Sequence, residues 1–145
     1  VGTFRTKNFE DNIRNLIEEL ELQSSVMITE QVPHSQIWEI INKHRIGVIP
    51  FRRTPLTEEN TPTKLFEMMI CGLELVVSKL PPAQFFLNNS VHWCDPDSIN
   101  SISDSLLSAL NLKGNLSNIY ENQRLIIEKY NWEKKQKDYL TLFKS

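Results

Sequence analysis

The run Arg45-Ile46-Gly47-Val48-Ile49-Pro50-Phe51 constrains this chain more than any other feature. It is apolar at nearly every position, with no polar residue alternating in. A strand wetted on one side alternates between apolar and polar. One that does not alternate predicts a strand covered on both faces, as in parallel sheets wrapped by crossover helices. Leu73 to Ser78 reads as the next strand, with shorter ones over Ser25 to Thr29 and Val91 to Cys94.

Between these runs the apolar spacing turns helical. Phe9, Ile13, Leu16, Ile17 and Leu20 predict an amphipathic helix from Asn8 to Leu22. Pro33 breaks the chain, and Ser35 is placed to cap a helix carrying Ile37, Trp38, Ile40 and Ile41. Arg52 to Thr61 reads as a polar loop. Thr61 and Pro62 then open a helix, with a hydroxyl at the cap and proline in the first turn. Leu65, Phe66, Met68, Met69 and Ile70 make that helix apolar over most of its surface, and Gly72 is placed to end it. Pro81-Pro82 starts a short helix reaching Leu87. After Asp95-Pro96 the pattern is helical to the end: Ser98 to Leu110, Leu116 to Lys129, and a last helix from Trp132. There is no internal repeat or low-complexity stretch.

Strands alternating with helices imply βαβ units. The expected class is α/β, a three-layer Rossmann-like parallel sheet with helices on both faces. Right-handed crossovers bring the strand C-termini to one edge, where such sheets bind ligands. The loops after Phe4, Thr29 and Phe51 belong to that edge. A chain of 145 residues suits one domain, taken as residues 1–145 with C-terminal helices over 98–145. The opening Val1-Gly2-Thr3-Phe4 has no initiator Met and reads as the end of a strand. The expectation is that this sequence begins inside a larger protein.

Composition removes several function classes. Sixteen basic and eighteen acidic side chains give a net charge of -2, which carries no electrostatic footprint for nucleic acid or a membrane surface. Cys71 and Cys94 are too few for a disulfide framework and lack metal-site spacing. They read as reduced thiols in a cytoplasmic setting. No apolar run is long enough to span a membrane, and no signal peptide is visible.

Chemistry concentrates in Glu58-Glu59-Asn60-Thr61-Pro62-Thr63-Lys64-Leu65-Phe66-Glu67. A helix start aims backbone N–H groups and partial positive charge at the ligand edge, which suits a diphosphate. Thr61 and Thr63 add hydroxyls, although Thr61 serves equally well as a plain helix cap. Lys64 adds a cation where it opposes the helix dipole. Glu67 lies about one turn further along, where a carboxylate can accept both hydroxyls of a ribose. Arg52 and Arg53 close a strand at the same edge, as surface charge or as phosphate contacts.

Glu59 and Glu67 are separated by seven residues, and Glu67 is followed by Met-Met-Ile-Cys-Gly-Leu-Glu-Leu-Val-Val-Ser. This resembles the E-x7-E segment of glycosyltransferase family four and its relatives, the group 1 glycosyl transferases. Gly2, Val26 to Pro33, Trp38 to Phe51 and Tyr130-Asn131-Trp132-Glu133 resemble other parts of the same family in order, so the likeness covers essentially the whole chain.

The resemblance implies the C-terminal, donor-binding half of a GT-B enzyme that transfers a sugar from a nucleotide diphosphate with retention. It implies that Glu67 binds the ribose and that Glu59, the catalytic candidate, lies by the donor sugar. Thr61 to Lys64 hold the diphosphate, backbone near Val32 borders the base, and Arg5 and Lys7 are candidates for the family's basic pair. It further implies no metal or other cofactor, an acceptor-binding N-terminal domain as partner, and no membrane contact by this domain. The full enzyme would sit in the cytoplasm or at the cytoplasmic membrane face, in polysaccharide assembly, and the isolated domain would be inactive.

One departure stands out. The family's E-G-F-G is Glu59-Asn60-Thr61-Pro62 here, which stiffens the loop and removes one N–H. Asn60 is the candidate to substitute with its side chain. The alternatives are a sugar-nucleotide epimerase of GT-B fold, which the scattered His34, His44 and His92 disfavour, and a non-catalytic nucleotide-binding module. A phosphorylase would need a cofactor lysine in a different motif. A receiver domain would need an acid pair after the first strand and an aspartate ending the third; Thr3-Phe4 and Pro50-Phe51 stand there instead. Cys71, Met68 and Met69 read as core residues and Trp132 as a packing anchor. The base, the sugar, the acceptor and the oligomeric state are not legible.

Overall fold

A computed structural model describes residues 2–87, 91–111 and 116–143. Val1, expected in the opening strand end, lies outside the described residues. The chain divides into two compact units, Val1–Ile37 and Trp38–Ser145.

The first unit is built on α1 (Lys7–Glu19), close to the expected helix. Thr6 caps it by accepting from the Phe9 N–H, and Glu10 sits in its first turn. Phe4 packs edge-on against Phe9 at 5.9 Å. The strand expected over Ser25 to Thr29 does not form: these residues lie in a turn and extended chain. β-propensity expresses pairing and burial more than a backbone preference. Here Met27 is 88% exposed, and Gly2 N–H donating to Thr29 O at 3.0 Å is the segment's link to extended chain.

Helix α2 (His34–Ile41) begins one residue before Ser35. Ser35 is therefore inside the helix instead of capping it, and the Gln36 N–H turns back to Pro33 O.

The second unit holds a parallel sheet of β1 (Ile46–Ile49), β2 (Glu74–Ser78) and β3 (His92–Cys94), in the order β1-β2-β3. Ile46 pairs with Glu74, and Val76 with His92. Between β1 and β2 run α3 (Pro55–Glu59) and α4 (Thr63–Ile70), and between β2 and β3 runs α5 (Pro81–Phe86). Helices α6 (Ile99–Asn111), α7 (Leu116–Glu128) and α8 (Trp132–Thr141) follow.

Side chains alternate across the strands, so each helix layer meets its own set. Val76 and Cys94 pack with Ala109, Ile102 and Leu106 of α6 on one face. On the other, Gly47 meets Met68 of α4. A Cβ on Gly47 would lie 2.6 Å from Met68 Sδ, so the missing side chain lets α4 seat against β1. The expected α/β arrangement, with helices on both faces of a parallel sheet, is present.

The double-sided burial read from RIGVIPF holds for β2, which is buried at all five positions, more than for β1. Helix α6 packs over β2 and β3. Val48 of β1, on that same face, is left 38% exposed. Trp132 is a second correction. It is 64% exposed and leans on Tyr139 at 5.8 Å, so it anchors no core. The packed rings of that region are instead the half-buried cluster Phe66, Phe86 and Tyr130, in which Phe86 lies 5.0 Å from each of the other two.

Candidate functional site

The chain leaving β1 is not the featureless polar loop its composition suggests. Thr54 caps α3 with a reciprocal box. Its Oγ1 accepts from the Thr57 N–H, Thr57 Oγ1 accepts from the Thr54 N–H, and Pro55 occupies the first turn. Thr57 Oγ1 also donates to Arg52 O at 2.6 Å. Arg53 Nη1 meets Glu58 Oε1 at 2.6 Å. Arg53, read from sequence as surface charge or phosphate contact, is thus committed at one nitrogen to its own segment. The signal that marks α3 is Thr-Pro-x-Thr, a hydroxyl cap, an N1 proline and a second hydroxyl at N3; the scarcity of apolar residues hid it.

Glu59 is the last residue of α3 and is exposed, and Asn60 is its C-cap. The chain then turns through Thr61 and Pro62 into α4. The cap of α4 is Pro62, not Thr61: helical geometry starts at Thr63, and Pro62 makes no side-chain cap bond to the helix start. Proline locks φ near the observed -70° and holds an extended ψ of 126°, which moves the boundary one residue past the expected one. Leu65 N–H returns to Pro62 O at 3.0 Å. The side chains of Thr63 and Lys64 at this helix start are exposed.

Glu67, one turn on, is half-buried, while Leu65 and Met69 on its flanks are wholly buried. Burial pushes the Cys71 thiol up, and the neighbouring Glu67 charge adds to that. Six of the proposed site residues, Glu59, Asn60, Thr61, Thr63, Lys64 and Glu67, thus belong to one α3–α4 segment. Arg5 (exposed) and Val32 (half-buried) belong to the first unit.

Beneath the segment, Thr57, Asn60 and Pro62 close with Leu80, Pro82 and Ala83 around a cavity of about 10 Å³, the room of one water. Helix α3 rests on α5 there. The backbone before α4 is therefore propped from below by packed side chains.

A buried pair went unnoticed in the sequence. His92 Nε2 approaches Glu74 Oε2 at 3.5 Å, with side chains 12% and 7% exposed. Glu74 stands inside an apolar strand run, where an acid needs a partner. That was the available signal. Among the described residues no three His, Cys, Asp or Glu side chains gather where they could hold a metal ion. No helix among them is long and apolar enough to cross a membrane.

Residues 1–142 match the family of glycosyl transferases group 1. The chain belongs to that family. Of the solved structures, a sucrose-phosphate synthase from Thermosynechococcus elongatus matches with a TM-score of 0.76 at 20% identity, over 94% of this chain. At that identity the likeness concerns the fold. This group 1 chain spans about a third (35%) of that structure's length. Comparison with curated proteins gives no match.

Proposed function

We propose that this group 1 domain binds the nucleotide-diphosphate sugar donor for a retaining glycosyl transfer, of hexosyltransferase type. The observation that carries the reading is the start of α4. Its N-cap, Pro62, provides no side-chain acceptor, Lys64 is exposed beside it against the helix dipole, and a half-buried Glu67 follows one turn later.

An anion at that position completes the helix and neutralises Lys64 together. The diphosphate lies on Thr63 and Lys64, with Thr61 and Asn60 at its sugar end. The ribose hydroxyls donate to the Glu67 carboxylate. When the glycosidic bond breaks, negative charge grows on the leaving diphosphate. Fixed N–H groups and Lys64 stabilise that charge more than they stabilise the ground state, and this is the catalytic contribution of the segment. Glu59 faces the donor sugar. No metal takes part, and the acceptor is held by an N-terminal domain, so this chain alone binds donor without turnover. The setting is cytoplasmic, in polysaccharide assembly.

A thermal-shift series with UDP, GDP, ADP, CDP and their sugar conjugates tests the reading. A binder at a hundred times its Kd adds about 2.7 kcal/mol of stability, or roughly 2–4 °C for each kcal/mol in chains near this size. Stabilisation by at least one diphosphate, absent with the matching nucleoside, is expected. A flat response to the whole series rules the proposal out.

A further inference from the structure

The hydroxyl pair that opens α3 ties the helix to the chain leaving β1. Thr57 Oγ1 donates to Arg52 O at 2.6 Å, with Thr54 O a longer second acceptor at 3.2 Å. It accepts from the Thr54 N–H at 2.9 Å. Thr54 Oγ1, 3.0 Å away, accepts from the Thr57 N–H. Since the Thr57 proton goes to Arg52, the proton between the two hydroxyls belongs to Thr54. The Thr57 hydroxyl therefore uses its one proton and both acceptor positions inside the protein. It has nothing left for a ligand.

The other forces on α3 are weak. The helix has five residues, Pro55–Glu59, too few to persist on backbone bonds alone. Leu56 is 66% exposed and buries little apolar area. Arg53 and Glu58 are both half-exposed, where an ion pair contributes little. Thr57 is half-buried and, with Asn60, faces Leu80, Pro82 and Ala83 across the one-water cavity. Its hydroxyl is the strongest single tie the helix has.

Glu59 stands two residues past Thr57, and the Asn60 N–H closes on Leu56 O at 3.0 Å. Asn60-Thr61-Pro62 contains no glycine, and Pro62 holds its φ at -70°. A displacement of α3 is thus carried to Glu59 and Asn60 and not absorbed by a flexible joint. We propose that Thr57 is a positioning residue whose hydroxyl sets where α3 presents Glu59 and Asn60 to the sugar of the donor. This role rests on the donor-binding reading. It divides that site into a sugar end that depends on Thr57 and a diphosphate end, at the start of α4, that does not.

The test is calorimetry of the wild type, Thr57→Ala and Thr57→Ser with UDP against UDP-glucose, GDP against GDP-mannose and ADP against ADP-glucose. Alanine removes the hydroxyl without adding bulk, and serine keeps it. For the pair that binds, Thr57→Ala should raise the Kd of the sugar conjugate at least fivefold and that of the bare diphosphate less than twofold. Thr57→Ser should match the wild type on both. A purely structural role would move both ligands alike or neither, and either result overturns the proposal, as does a serine variant that behaves like alanine. Should Thr57→Ala not fold, Thr54→Ala carries the test by the same criteria, since it removes the partner hydroxyl and leaves Thr57 in place. A wild type that binds no ligand of the three pairs removes the donor reading and this role with it. Wild-type binding with an unchanged ratio in the alanine variant removes this role alone.

Discussion

The two ends of α4 are built in opposite ways. At the C-terminal end every loose group is answered. Gly72 takes a φ of +74°, its N–H donates to Met69 O and the Leu73 N–H to Met68 O. This is the Schellman closure. Gln123 Nε2 of α7 adds a bond to Ile70 O at 3.0 Å. At the N-terminal end Pro62 brings no acceptor and Lys64 opposes the dipole. Helices α1, α3 and α8 all begin under a side-chain cap, from Thr6, Thr54 and Asn131. Helix α5, like α4, begins without a side-chain cap, at Leu80. Helix α4 is thus secured at its C-terminal end by the fold, while at its N-terminal end Pro62 supplies no side-chain cap.

The comparison breaks most visibly by emptying the secured half. Met69 is completely buried, and Met69→Ala should cost about 2–5 kcal/mol in a urea titration. The folded protein should keep its diphosphate affinity within twofold. A large loss of affinity at saved stability would show that the ends are not independent. Glu67→Gln is expected to act on binding. Hydrogen bonds to a charged group are worth about 1.5–3 kcal/mol, so calorimetry should find diphosphate binding weakened roughly 10- to 100-fold.

Gly72→Val puts a branched side chain at positive φ, with Gln123 Nε2 only 3.0 Å from the new Cβ. A loss of about 1–3 kcal/mol is expected by chemical denaturation. Pro62→Ser is the mildest and the sharpest. A serine cap should stabilise the protein by about 0.5–1 kcal/mol and weaken diphosphate binding, since it occupies the N–H groups the ligand needs.

The same segment marks where sequence was legible. Gly72 could be read as a stop because positive φ has few other solutions. β2 could be read because unbroken apolar runs have few homes. The E-x7-E spacing singled out Glu59 and Glu67 before any geometry. Helix α3 was hidden because its stability comes from two threonine hydroxyls and a proline, not from apolar periodicity. The boundary of α4 slipped from Thr61 to Pro62 because either residue can lead into a helix and the choice lies with backbone dihedrals. Ser25 to Thr29 failed as a strand because its residues carry the propensity without the pairing. The Glu74–His92 approach required a register that places two distant residues on one face.

Donor binding at the start of α4 engages particular atoms in this proposal, the backbone N–H groups of Thr63 and Lys64. Amide NMR during a titration with the diphosphate that stabilises the protein most reads them directly. The account predicts saturable downfield shifts at Thr63 and Lys64, with Glu67 following and Gly72 still. Saturation of the protein with those two amides unmoved would contradict it.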